Sequence, residues 1–135
     1  HAPNDALRRR LIPLARRHSI ADIIAAAEGF YKARHREVTL EYVLLAGVND
    51  SPACADELSA IAGKLRCNVN VIRYNPVDGL DFQAPPERAC KAFVDRLSRS
   101  GANAHLRASR GIDAQAACGQ LRQAAARQES TEVAR

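Results

Sequence analysis

Apolar residues recur along this chain with two different periods. Over residues 18–35 they return every three or four positions, which is the period of a helix with one apolar face. Over 38–47 the chain is instead β-branched, aromatic and apolar on both alternating faces, as in a buried strand. The alternation continues and predicts a helix over 49–65, a strand over 67–76, a helix over 85–101, a short strand over 102–109 and a last helix that follows residue 110.

Helix-start signals support these boundaries. Ser19 is a predicted N-cap, and Ser51 followed by Pro52 is the usual pair at the start of a helix. The stripe of the first helix consists of Ile20, Ile23, Ile24, Ala27, Phe30 and Tyr31. The stretch 75–85 is rich in turn residues and is predicted to be a loop.

Strands that alternate with helices favour an α/β fold with a parallel sheet and covering helices. Parallel sheets are covered on both faces, so this number of strands is small for a complete fold. The chain also contains no methionine. We therefore expect the C-terminal part of a partial (β/α) barrel, with residues 1–125 in its core and 126–135 as a frayed tail.

Composition favours a folded protein of the cytoplasm. Hydrophobic residues make up 47% of the chain, which is enough for a core. No apolar run approaches the roughly 20 residues that span a bilayer, and no secretory leader is recognisable. The four cysteines are then expected to be reduced.

The positive charge lies at one end of the chain. Residues 1–36 hold eight Lys or Arg against three Asp or Glu, so they carry the whole net charge of +5. Such a segment can bind the phosphates of a nucleic acid, although a solvated helix face is the more common explanation of a charge run.

Polar side chains follow each predicted strand, where parallel α/β proteins place their chemistry. These residues are Asn49, Asp50, Asn75, Asp78 and Arg110. None of them is diagnostic alone, and the Asn-Pro pair at 75–76 is more often a structural turn.

The cysteines show no metal-site spacing. Cys54, Cys67, Cys90 and Cys118 form no CxxC or CxxxC motif, so no metal site is predicted in this chain. The first three fall on helix faces or at a strand start and are predicted to be packing residues. Cys118 stands in "AACGQL", among residues too small to fix it, and by itself such a thiol is usually inert.

Four motifs occur in a familiar order: "HAPND" at the start, "VTLEYVLLAGVNDS" (38–51), "VNVIRYNPVDG" (69–79) and "RGIDAQAACGQLR" (110–122). Together they resemble the RlmN/Cfr family of radical SAM methyltransferases. The resemblance implies a monomeric cytoplasmic enzyme that methylates an adenine of 23S rRNA, at C2 in RlmN and at C8 in Cfr. RlmN-type members also act on tRNA.

The resemblance assigns roles to three residues. His1 matches a histidine that contacts S-adenosylmethionine (SAM), Asn75 matches a SAM-binding asparagine, and Cys118 matches the cysteine that carries the methyl group. The [4Fe–4S] cluster of the family is bound by a CxxxCxxC motif upstream of this histidine. That motif is absent here, so this chain is expected to be an inactive fragment of the enzyme.

The implied chemistry explains why a thiol is needed. The C2 and C8 atoms of adenine are electron-poor and do not attack the methyl group of SAM. In the implied mechanism Cys118 takes a methyl group from one SAM, an instance of covalent catalysis. A radical made from a second SAM then removes a hydrogen from that methyl group, and the resulting carbon radical adds to the base.

Two departures from the family pattern keep alternatives open. The loop reads Asn-Pro-Val-Asp-Gly where Asn-Pro-Phe-Pro-Gly is common, and the last motif reads Arg-Gly-Ile-Asp-Ala-Gln where Arg-Gly-Asp-Asp-Ile-Asp is common. A Cfr-like C8 methyltransferase is therefore one alternative. A non-catalytic, basic RNA-binding α/β module is the other.

Overall fold

The structure, a computed structural model, describes residues 1–107 of the chain. The predicted last helix and the tail 126–135 lie outside this range. The described elements are α1 (Asp5–Leu11), a short 3-10 helix (Pro13–Arg16), α2 (Ile20–Arg34), β1 (Val38–Leu44), α3 (Pro52–Ala62), β2 (Cys67–Arg73), α4 (Glu87–Arg99) and β3 (Ala104–Arg107).

The three strands form one parallel sheet in the order β1-β2-β3. In register, Val38 pairs with Cys67 and Leu44 with Arg73, so β1 and β2 begin and end at the same level. Because α3 joins β1 to β2 and α4 joins β2 to β3, the chain makes two successive βαβ units. The predicted parallel α/β fold is confirmed.

The predicted helix starts are confirmed in atomic detail. The Ser19 hydroxyl accepts a hydrogen bond from the backbone N–H of Asp22 at 3.1 Å, and the Asp22 carboxylate accepts one from the N–H of Ser19 at 2.8 Å. This reciprocal capping box satisfies two N–H groups that a helix start would otherwise leave free. Ser51 caps α3 in the simpler way, through the N–H of Cys54.

Several element bounds differ from the predictions, and one helix is present that was not predicted. The predicted strand 38–47 ends at Leu44, and the predicted helix 49–65 begins only at Pro52. Between them the backbone turns back through residues 45–50, and the apolar run in the sequence does not reveal this turn. In addition, α1 forms over Asp5–Leu11, where the pattern predicted no element.

The core lies between one face of the sheet and the two helices α3 and α4. The sheet contributes Tyr42, Leu44, Val69, Val71 and Ala104, and the helices contribute Ala55, Leu58, Ala62, Cys90, Phe93 and Leu97. The rings of Tyr42 and Phe93 stack with centroids 5.4 Å apart. This packing fixes α3 and α4 on the sheet.

The apolar stripe of α2 does not join this core. No residue of α2 is fully buried, and Ile23 and Phe30 are 38% and 45% exposed. On the sheet face away from α3 and α4, Glu41 and His105 are exposed, and the amide of Asn70 donates to Glu41 at 3.0 Å. Within residues 1–107, no helix is long and apolar enough to cross a membrane.

Truncation of a core side chain should destabilise the fold strongly. Leu97 is fully buried, so Leu97→Ala in the intact protein should lower the free energy of unfolding by about 2–5 kcal/mol. Urea unfolding measures this change. The matched control is Leu14→Ala, because Leu14 is 60% exposed and its loss should cost about 0.5 kcal/mol or less. Equal losses in the two variants would show that the core is placed wrongly.

Candidate functional site

The carboxyl ends of β1 and β2 lie side by side, because Leu44 and Arg73 are register partners. The backbone N–H of Tyr74 still donates to the carbonyl of Leu44 at 3.2 Å, just beyond the end of β2. We call this end of the sheet, with the turn at residues 45–50 and the residues that follow Arg73, the rim. Parallel α/β proteins bind ligands at this end of the sheet.

The rim is organised around the buried side chain of Asn49. Its exposed fraction is 0%, and it is the buried polar residue of the described core. Its Oδ1 accepts from the N–H of Leu45 at 2.7 Å, while its Nδ2 donates to the carbonyls of Val43 at 2.7 Å and His1 at 2.8 Å. Both amide protons and the amide oxygen are therefore in use, as burial requires.

The backbone around Asn49 is fixed as well. The hydroxyl of Tyr42 donates to the Asn49 carbonyl at 2.8 Å, and burial raises the pKa of this phenol far above its usual value. Gly47 adopts a positive φ of 67°, and its N–H donates to the Asp50 carboxylate at 2.9 Å. A left-handed backbone of this kind favours glycine, so this turn depends on Gly47.

His1 is attached to the rim at two points. Its carbonyl accepts from Asn49, and its ring Nδ1 accepts from the backbone N–H of Val43 at 3.1 Å. A neutral imidazole that accepts at Nδ1 carries its proton on Nε2. His1 is exposed, so its Nε2–H group can donate a hydrogen bond at the rim.

Asn75 follows β2 by two residues, beside the rim end of β1. The loop after it folds back over the rim. Arg73 Nε donates to the carbonyl of Pro85 at 2.7 Å, and the N–H of Ala46 donates to the carbonyl of Gln83 at 2.9 Å. The loop is thus held against the end of β2 and the turn after β1, and Asn75 at its start is half-buried.

Tyr74 is a feature of this rim that the sequence did not single out. Its ring meets Phe82 of the loop edge to face, with centroids 6.2 Å apart. Its hydroxyl is buried and has no hydrogen-bond partner among residues 1–107. Asn49 was named among the rim residues, but its role as a buried cross-link was also missed. The sequence feature that could have indicated this role is an asparagine two residues after Gly47, in the turn that follows a predicted strand.

The remaining predicted rim residues divide into two groups. Asp50 accepts from Gly47 within the turn, and Asp78 is exposed in the loop after β2. Arg110 lies outside the described residues, as does Cys118, the predicted methyl carrier.

The three other cysteines are packing residues, as predicted. Cys90 is fully buried in the core, and Cys54 and Cys67 pack against it. Burial raises the pKa of the Cys67 and Cys90 thiols and so disfavours the reactive thiolate. Among the described residues, no three His, Cys, Asp or Glu side chains come together as a metal site.

Replacement of Asn49 should loosen the rim in a pH-dependent way. Asn49→Asp keeps the shape but points a carboxylate oxygen at the carbonyls of Val43 and His1. Burial near two acceptors should raise the pKa of this new carboxyl group. The variant should therefore be less stable than the parent protein at pH 7, and part of the difference should disappear at acidic pH, where the protonated acid donates one bond.

Thermal unfolding of both proteins across this pH range measures the effect. The loss at pH 7 should reach about 1–3 kcal/mol for each carbonyl left without a donor. A pH-independent loss, or none, would contradict the network described for Asn49.

This chain is similar to proteins that are named as RNA methyltransferases. A protein of Thermosynechococcus vestitus named probable dual-specificity RNA methyltransferase RlmN is 44% identical over 124 residues, which cover 92% of this chain and 37% of that protein. A protein of Opitutus terrae named probable dual-specificity RNA methyltransferase RlmN 1 is 46% identical over 126 residues, which cover 90% of this chain and 36% of that protein. The chain thus spans little more than a third of the length of these curated relatives. No family model matches it.

Solved structures agree with these relatives. The crystal structure of a radical SAM methyltransferase from Sphaerobacter thermophilus superposes with a TM-score of 0.85 at 46% identity, over 89% of this chain and 35% of that chain. A domain of a pyruvate-formate lyase-activating enzyme from Bacteroides vulgatus shares the fold, with a TM-score of 0.62 at 14% identity. The chain belongs to the RlmN-type family of radical SAM methyltransferases.

Proposed function

We propose that the intact protein is a radical SAM methyltransferase that methylates C2 of an adenine in 23S rRNA and also acts on tRNA. The observation that carries this proposal is the 44% identity across 92% of the chain to a protein named as a dual-specificity RNA methyltransferase. An RNA-modifying enzyme of this kind would act in the cytoplasm as a monomer. Because the chain covers about a third of its relatives, it would be inactive alone.

The rim has the groups that a SAM site needs. His1 offers an N–H donor on Nε2, since Val43 occupies its Nδ1. Asn75 follows the neighbouring strand β2 at the same end of the sheet, and its amide carries both donors and an acceptor. When bound, SAM supplies an electrophilic methyl group. His1 and Asn75 would bind and orient it, and the Asn49 amide would keep His1 in place.

Cys118 would be the nucleophile of the reaction. Its thiolate would form a bond to the methyl carbon while the bond from that carbon to the SAM sulfur breaks, which leaves a neutral methyl thioether. The three described cysteines cannot readily replace it, because they pack in or against the core. The [4Fe–4S] cluster of the family would be bound by residues outside this chain.

Loss of the amide of Asn75 should weaken SAM binding. A single hydrogen bond contributes about 0.5–1.5 kcal/mol, so Asn75→Ala in the intact enzyme should raise the Kd for SAM by up to roughly tenfold. Isothermal titration calorimetry measures this change. Asn103→Ala is the matched control, because Asn103 is exposed and precedes β3 at the opposite end of the sheet. Equal effects in both variants would contradict a SAM site at the rim.

The methyl carrier can be detected directly. In intact enzyme isolated from cells that supply SAM, trypsin should release the peptide of residues 111–122, in which Cys118 is the one cysteine. Mass spectrometry should find this peptide heavier by one methylene, with the added mass on Cys118. Cys118→Ala should abolish methyl transfer to RNA, whereas Cys54→Ala should retain it.

The modified base gives the remaining test. Nucleosides from methylated 23S rRNA should match a 2-methyladenosine standard and not an 8-methyladenosine standard. If the methyl group resides on another cysteine, or if Cys118→Ala still methylates rRNA, the proposed mechanism is wrong. If 8-methyladenosine forms, the position of methylation is wrong and the role of Cys118 stands.

A further inference from the structure

The basic segment between the rim and α2 is clamped at its base. The carboxylate of Asp5, at the start of α1, accepts from the backbone N–H of Ile20, at the start of α2, at 2.9 Å. The two ends of the chain segment from Asp5 to Ile20 therefore lie next to each other. We call residues 5–20 the basic arm. It contains five arginines and one acidic residue, Asp5.

The arm begins at the rim. Only three residues separate its first residue, Asp5, from His1, which is bonded to Val43 near the end of β1. The amide of Asn4 caps α1 and also donates to Glu57 of α3 at 2.6 Å. The helix α2 has 15 residues, each of which advances it by about 1.5 Å, so its far end lies roughly 22 Å from the end of the arm at Ile20. Since α2 leads directly to the start of β1, this far end lies toward the opposite end of the sheet.

One of the five arginines has a structural role. Arg8 is half-buried, and its Nη1 donates to the carbonyl of His18 at 2.5 Å, which ties α1 to the turn before α2. This contact brings the two halves of the arm together. Arg8 is therefore not part of the exposed charge.

The other four arginines are free to meet an anion. Arg9, Arg10, Arg16 and Arg17 are all exposed. Within residues 1–107 the ion pairs are Lys91–Glu87 and Arg96–Asp56, and neither involves the arm. The carboxylate of Asp5 is engaged by a backbone N–H at the base of the arm. The arm thus holds four positive charges without an opposite partner in the described part of the chain.

We propose that these four arginines bind the phosphates of the RNA that flank the adenine presented to the rim. This inference rests on the proposed function. A base that is methylated at a ring carbon must leave its stack and enter a site, while its neighbours stay outside it. The backbone of those neighbours then passes beside the rim, where the arm begins. Phosphate contacts of this kind position the RNA and do not read its sequence.

Salt dependence tests the proposal in the intact enzyme. In one variant Arg9, Arg10, Arg16 and Arg17 are replaced by Gln. In the control variant Arg34, Arg36, Arg66 and Arg99 are replaced by Gln, because these four are also exposed but lie at the opposite ends of the strands. Binding to a 23S rRNA transcript and to an unrelated RNA of the same length is measured over a range of salt concentrations.

The arm variant should bind both RNAs more weakly, and the slope of log K against log[salt] should become shallower by about 3, at roughly 0.7 per phosphate contact with a single strand. The control variant should keep the parent slope. An unchanged slope in the arm variant, or equal changes in the two variants, would overturn the proposal. A loss for 23S rRNA alone would also overturn it, because phosphate contacts act on every sequence.

The outcome is separable from that of the proposed function. The arm variant should keep the parent Kd for SAM and should still methylate rRNA at low salt and saturating RNA. If the parent enzyme methylates rRNA while the arm variant keeps its salt slope, only the role of the arm is wrong. If the parent enzyme methylates no RNA, the proposed function itself fails.

Discussion

The rim depends on one buried amide. Asn49 binds three backbone groups and so joins the end of β1 to the segment at His1: the groups are the carbonyl of Val43, the N–H of Leu45 and the carbonyl of His1. A parallel strand that stops in the interior leaves polar backbone groups without partners, and such groups are costly when buried. The side chain of Asn49 satisfies them and thereby fixes where β1 ends.

Several features of the site follow from this constraint. Because β1 stops at Leu44, the chain can turn through Gly47 and begin α3 at Pro52, so that Ala55 and Leu58 of α3 pack in the core. The same amide holds the backbone of His1, so the ring can accept from Val43. Stability and the candidate ligand site thus share one set of hydrogen bonds, and damage to Asn49 should affect both.

The sequence predicted the fold well where local rules decide it. Periodicity located the helices and strands, and the caps at Ser19 and Ser51 formed as expected. The sequence was less informative where contacts between distant parts of the chain determine the structure. The end of β1 is set by the side chain of a residue five positions further on, and the short helix α1 is arginine-rich, with no apolar stripe to reveal it. The exposure of Phe30 was also not predicted, because an apolar stripe at helical spacing does not show which part of the protein packs against it.

For the site, the sequence showed which residue types are present but not how their side chains are placed. His1 and Asn75 were assigned by resemblance, and the structure adds that His1 accepts at Nδ1 and so donates at Nε2. The most direct measurement is a crystal structure of the intact protein with SAM bound. We expect Val43 to keep its bond to Nδ1 and the Nε2 of His1 to lie within hydrogen-bond distance of SAM. A ring turned away from Val43, or SAM bound away from the rim, would contradict the account.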